Sequence, residues 1–221
     1  MADDRTEQNN RPQYVVLLHG LARTKRSFKR LENSLIEHGY QVVNVGYPST
    51  KMPIEQLADE AISKALARCQ DAEQIHFVTH SMGGILLRQY LKQHTMESLA
   101  RVVMLGPPNH GSEVVDVLKN VVGFKFINGP AGLQLGTDSH SLVKQLGPAT
   151  FELGVIAGTR SVNLLLSTLL PRPNDGKVSV ESTRLEGMSQ HLQLPVTHSF
   201  MMQNRQVITH VLHFLKHGSF S

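Results

Sequence analysis

Apolar residues along this chain switch repeatedly between two spacings. Residues 14–18, YVVLL, form a continuous β-branched and apolar run that stops at His19 and Gly20, the pattern of a buried strand. In SFKRLENSLIEHGY, Phe28, Leu31, Leu35 and Ile36 recur at helical spacing, and Gly39 suits a left-handed stop. A second strand at 41–45, QVVNV, precedes a helix opened by Pro53, where Ile54, Leu57, Ala58, Ala61, Ile62, Ala65 and Leu66 form one apolar stripe. Strand IHFVT, helix MGGILLRQYLKQH and strand RVVML continue the alternation as far as Leu105.

After Pro107 the rhythm breaks. Residues 107–150 mix glycine with apolar residues and keep no sustained period, which predicts a partly helical insertion over the sheet. Regularity returns with strand ELGVIAG, loop RPNDGKVSVES, a last strand in HLQLPV and helix NRQVITHVLHFLKH. Strands alternating with helices imply crossover units, hence an α/β fold with a mostly parallel central sheet and helices on both faces. At 221 residues the chain is long enough for one good-sized core, and one domain is expected, with residues 1–13 as a frayed leader.

Composition narrows the partners. A hydrophobic fraction of 40% and a charged fraction of 18% are ordinary for a globular protein, and no apolar run approaches the ~20 residues of a membrane span. The opening MADDRTEQNNRPQ lacks the apolar stretch of a secretory signal, so a cytoplasmic protein without stable membrane insertion is expected. The net charge of +4 is dispersed, and its densest knot, ARTKRSFKR at 22–30, reads as a solvated helix face. Tryptophan is absent and aromatics make up 5%, which argues against a base-stacking surface and a nucleic-acid partner. Cys69 is the single cysteine and sits on an apolar helix face, as a buried structural thiol does. No histidines share the spacing of a zinc helix, and His210 with His213, three apart on the last helix, is too weak a ligand pattern by itself, so neither metal nor other cofactor is expected.

Parallel sheets gather their chemistry beyond the carboxyl ends of the strands. Four sets of residues fall there: His19 with Gly20, Ser81, Asp175 and His198. Ser81 stands between a strand and a helix, where serine also serves as an N-cap. A serine hydroxyl becomes a useful nucleophile only when a base accepts its proton, and that base needs an anion to orient it and to stabilise its cationic form. Ser81, His198 and Asp175 supply these three parts, while Asp116, Asp138 and Glu181 are further acids available.

The segments LLHGLARTKRSF, VGYPST, THSMGG, GPPNHGS and NDGKVSVES together resemble the α/β-hydrolase superfamily, specifically its compact serine lipase and GPI-deacylase-like branch. The likeness runs from about Tyr14 to Leu215. The nucleophile elbow G-x-S-x-G reads here Thr79-His80-Ser81-Met82-Gly83, with Thr79 in place of the first glycine, and the order Ser, acid, His is matched by Ser81, Asp175 and His198. The resemblance favours Asp175 as the acid, because it follows the strand before the last. It also implies an oxyanion hole from the backbone N–H groups of Leu21 and Met82. His19 is then a brace of the oxyanion loop, His80 a frame residue and His110 a turn or pocket-wall residue. The function implied is hydrolysis of small or lipid-like carboxylic esters through an acyl-serine intermediate. A thioesterase or acyltransferase would use the same residues, and a non-catalytic lipid-binding or scaffolding protein is the alternative from another class. The glycines at 123, 129, 132 and 136 suit a cover over an acyl groove better than a core helix.

Overall fold

The first apolar run becomes the pivot of the sheet. In a computed structural model that describes residues 12–121, 123–138, 141–162, 167, 168 and 170–220, β1 (Gln13–Leu18) lies between β2 (Gln41–Val45) and β3 (Gln74–His80). β4 (Leu99–Leu105), β5 (Glu152–Gly158) and β6 (Gln190–Leu194) complete the order β2-β1-β3-β4-β5-β6, and every neighbouring pair is parallel. The chain leaves β1 toward β2, then crosses to β3 on the other side. The order therefore reverses between β1 and β3, and the crevice beyond their carboxyl ends is where such sheets bind ligands.

Alternate residues of each strand feed two cores, as the period of two requires. Val16, Leu18, Phe77, Val102, Met104 and Val155 pack with α2 (Ile54–Leu66) and α3 (Met82–Gln93). Val15, Leu17, Val78, Val103, Leu105 and Ile156 pack with α1 (Lys29–Glu37) and α6 (Arg205–His217). Both faces are apolar, which is why YVVLL shows no alternation of its own. Cys69 is buried in the first of these cores, and burial pushes its thiol pKa up to about 11.

Residues 107–150 carry α4 (Glu113–Leu118), α5 (Phe124–Leu133) and a 3-10 turn, Leu142–Leu146. Their glycines do interrupt the helical period: Gly123 caps α5 at φ 90°, and α5 kinks at Gly129 before Pro130. Val115, Ala131, Leu135, Val143 and Leu146 join the core beside α2 and α3. Buried Arg88 of α3 pins both ends of the segment, donating to the carbonyls of Asn109 at 3.2 Å and Gly147 at 2.8 Å.

Three boundaries differ from expectation. β1 already includes Gln13, whereas residues 1–11 of the expected leader lie outside the described residues. The helix expected from Ser27 begins as a 3-10 turn, Lys25–Phe28, and becomes α1 at Lys29. β6 stops at Leu194 because Pro195 has no N–H to donate to a ladder. Among the described residues no helix is long and apolar enough to cross a membrane.

Candidate active site

Ser81 is the single residue between β3 and α3. Its backbone, at φ 53° and ψ −123°, occupies a region that costs a residue with a Cβ on the order of 1–3 kcal/mol. Its side chain makes no cap hydrogen bond to α3. The hydroxyl instead donates to His198 Nε2 at 3.0 Å. Close packing under the turn requires Gly83, where a Cβ would meet the Leu18 carbonyl oxygen at 2.3 Å. Thr79, fully buried, stands beside Gly84, whose missing side chain leaves room for the threonine: a Cβ there would lie 3.2 Å from Thr79 Oγ1.

The hydrogen bonds beyond Ser81 are buried. His198 Nδ1–H donates to Asp175 Oδ2 at 2.7 Å, and the other carboxylate oxygen accepts from the amides of Lys177 at 3.0 Å and Val178 at 2.8 Å. The His198 amide also donates to the Asp175 carbonyl at 3.2 Å, so the two loops hold each other. With Nδ1 carrying the hydrogen, Nε2 presents its lone pair to Ser81. Gly106 follows β4 at φ 54°, and a Cβ there would lie 3.1 Å from Asp175 Oδ2 and 3.2 Å from His198 Nδ1. The alternative acids lie elsewhere. Asp116 accepts from Thr137 N and Oγ1, Asp138 packs with it against Gly136, and Glu181 pairs with Arg184.

Close beside Ser81, where a Cβ on Gly20 would lie 3.1 Å from the serine Cβ, the loop after β1 turns through Gly20, whose carbonyl accepts from the Arg23 amide at 3.3 Å. The Ala22 amide donates to Ser49 Oγ at 3.0 Å. The amides of Leu21 and Met82 have no acceptor among the described residues. One is at the corner of this turn and the other is the first residue of α3, where orphan donors are intrinsic. His19 braces the loop. Its Nδ1–H donates to the Gly20 carbonyl at 2.9 Å, its Nε2 accepts from the Tyr47 amide at 3.4 Å, and the Tyr47 ring stacks on it with a hydroxyl donating to the His19 carbonyl. Burial lowers the His19 pKa against the opposing pull of the Gly20 carbonyl, favouring this neutral form.

His80 is also a frame residue, donating from Nε2 to the His198 carbonyl at 2.9 Å. Burial, and secondarily the adjacent His198, hold its pKa well below the ordinary value. His110 is exposed and its amide donates to the Ser182 carbonyl. His213, on the last helix, donates from Nδ1–H to the carbonyl of Ser219 beyond its end. Among the described residues no cluster of three or more His, Cys, Asp or Glu is disposed to hold a metal.

Ser81 and His198 border a cavity of about 260 Å³, with Val114, Val115, Leu118, Phe124 and Leu135 as its apolar wall and Arg23 and Lys177 among its other lining residues. A larger groove of about 630 Å³ lies between α1 and α6 and includes none of these residues. Arg23 corrects one sequence expectation: it belongs to the cavity rather than to a solvated helix face. Gly106 and the His80 bond to the His198 backbone had no mark in the sequence, because neither arises from local spacing.

The sequence model of the alpha/beta hydrolase family matches residues 15–205. Solved structures with the same fold include the mature form of the Bacillus licheniformis lipase BlEst2, at TM-score 0.70 and 17% identity over 100% of this chain and 96% of that one. Aspergillus fumigatus lipase B aligns at TM-score 0.71 and 16% identity, over 95% of this chain and 54% of the lipase. An Exiguobacterium antarcticum esterase aligns at TM-score 0.63 and 16% identity, over 93% of this chain and 92% of the esterase. This chain thus spans about half the length of the Aspergillus lipase, and 50% of BlEst2 in its propeptide form. No curated protein sequence matches it.

Proposed function

The chain belongs to the alpha/beta hydrolase family, and from that membership and the geometry around Ser81 we propose that it is a serine hydrolase of carboxylic esters. The observation that carries the reading is the continuous hydrogen-bonded path from Ser81 Oγ through His198 to Asp175, with links of 3.0 Å and 2.7 Å, bordering an apolar cavity. The names of the lipases and esterase that share the fold support the same class.

Ser81 Oγ attacks the ester carbonyl as His198 Nε2 takes its proton. Asp175 holds the imidazole in the required tautomer and stabilises the imidazolium. The carbonyl oxygen becomes an oxyanion that accepts from the Leu21 and Met82 amides, donors that need no reorganisation at the moment of reaction. Collapse of the tetrahedral intermediate expels the alcohol, which receives the proton from His198. Water then attacks the acyl carbonyl as it gives a proton to His198, and collapse of the second tetrahedral intermediate breaks the bond to Ser81 Oγ, which takes that proton back from His198 as the acid leaves. The apolar wall takes the acyl chain, with each buried methylene worth about 0.8 kcal/mol.

Nitrophenyl esters from acetate to octanoate test this. The expected result is a rise in kcat/KM beyond acetate, up to about fourfold per methylene, and loss of turnover in Ser81→Ala. Undiminished turnover by Ser81→Ala would remove the nucleophile assignment. A steady fall from acetate onward would remove the acyl groove.

A further inference from the structure

The cavity beside Ser81 is not uniformly apolar. Arg23, on the turn after β1, and Lys177, on the loop after β5, both line it, and no aspartate or glutamate does among the described residues. Among the described residues neither side chain forms an ion pair with an acid. Desolvation lowers the Lys177 pKa first, the Arg23 charge lowers it further, and the Asp175 carboxylate acts the other way. That carboxylate is already committed to His198 Nδ1 and two backbone amides. Two cations thus line one cavity, Arg23 half-buried and Lys177 with its outer part exposed, and the carboxylate beside them is spoken for. An anion bridging both would be attracted by two charges at once.

Their placement says where that anion belongs. Arg23 is two residues beyond Leu21, and its amide closes the turn that presents the Leu21 amide. The Lys177 amide donates to Asp175. The cations therefore come from the two loops that flank the reacting serine, one on the oxyanion side and one on the acid side. The apolar wall of Val114, Val115, Leu118, Phe124 and Leu135 comes from the segment between β4 and β5.

We propose that Arg23 and Lys177 form an anion subsite, so that the preferred substrates are acyl esters bearing a phosphate or carboxylate group near the scissile bond. The ester-hydrolase reading is its premise. The acyl chain occupies the apolar wall, and the anionic group lies between the two cations. A guanidinium offers paired N–H donors and an ammonium a compact charge, so both phosphate and carboxylate can be gripped.

The test compares hexanoyl esters of glycerol, glycerol 3-phosphate and glyceric acid, which share an acyl chain and differ in charge. For the native protein, kcat/KM for at least one anionic ester should exceed that for the glycerol ester by about tenfold, and the phosphate and carboxylate arms show which group is favoured. In Arg23→Gln and Lys177→Gln the ratio of anionic to neutral kcat/KM should fall by roughly fivefold each, and Lys177→Arg should restore it. Equal kcat/KM for all three esters overturns the proposal while leaving the hydrolase reading intact, as does a ratio that survives both substitutions. Binding decides the case in which no ester is turned over, where it is the hydrolase reading that fails. The Ser81→Ala protein should bind hexyl phosphate by calorimetry about tenfold more tightly than hexanol, with the difference lost in Ser81→Ala/Lys177→Gln. Equal affinity for the two overturns the anion subsite on its own evidence.

Discussion

Ser81 is held at φ 53° by its neighbours, so its backbone and its hydroxyl serve different ends. Glycine meets no steric cost at positive φ. Ser81→Gly should therefore raise the melting temperature while abolishing ester turnover, and a thermal melt beside a rate assay checks both. Ser81→Ala should lower kcat by about 10⁴ to 10⁶, since the members of such a set act as a unit. Asp175→Asn should cost about 10⁴, because the amide no longer holds the right imidazole tautomer. Asp138→Asn, which alters a carboxylate packed against Gly136, should stay near the parent rate. The opposite order of these two effects in steady-state assays would reassign the acid. Gly106→Ala would press a methyl group to 3.1 Å from Asp175 Oδ2, and a displaced His198 should lower kcat by about 10²-fold.

Among the elements, those with one unbroken period were legible. α2 and α6 carry full apolar stripes, and the strands are short apolar runs closed by glycine, proline or a polar turn. Ser81 and His198 could be located because a strand end is a sequence feature and the sheet gathers strand ends. Asp175 needed the likeness to a family as well, since Asp116, Asp138 and Glu181 also lie outside the strands. Residues 107–150 show no sustained period because Gly129 and Pro130 break α5 in its middle. Arg23 was misplaced because its direction comes from the turn at Gly20, including Ala22 at φ 53°, and alanine gives no sign of that conformation. Thr79 fits where the elbow pattern has glycine because Gly84 beside it leaves room for the side chain. Arg88 ties α3 to this irregular segment through carbonyls alone, with no carboxylate partner among the described residues. Arg88→Met should lower stability by about 2–4 kcal/mol, since several buried acceptors lose their donor. Urea denaturation followed by circular dichroism measures it, and an unchanged midpoint would contradict the pin.

The whole molecule buries several imidazoles in neutral form, and this sets its response to acid. Burial lowers the pKa of His19 and His80, and burial with the nearby Arg101 charge lowers that of His76 to about 4. A histidine depressed in the folded state binds its proton more readily when unfolded, so its stabilising contribution is full above about pH 6.5 and is lost as pH falls from there toward the folded value. For His76 that loss is on the order of 3 kcal/mol by pH 4. Melting temperature should hold from pH 8 to 7 and decline steadily below 6.5. A flat profile from pH 8 to 5 would contradict it. The same sheet order that buries His76 on β3 opens the crevice between β1 and β3, where the Leu21 turn meets Ser81. Covalent capture tests that convergence most directly: a fluorophosphonate is added to the native protein and the adduct is mapped by peptide mass spectrometry. The mechanism predicts one adduct, on Ser81, formed far more slowly in His198→Ala. An unmodified Ser81, or an adduct on another residue, would contradict it.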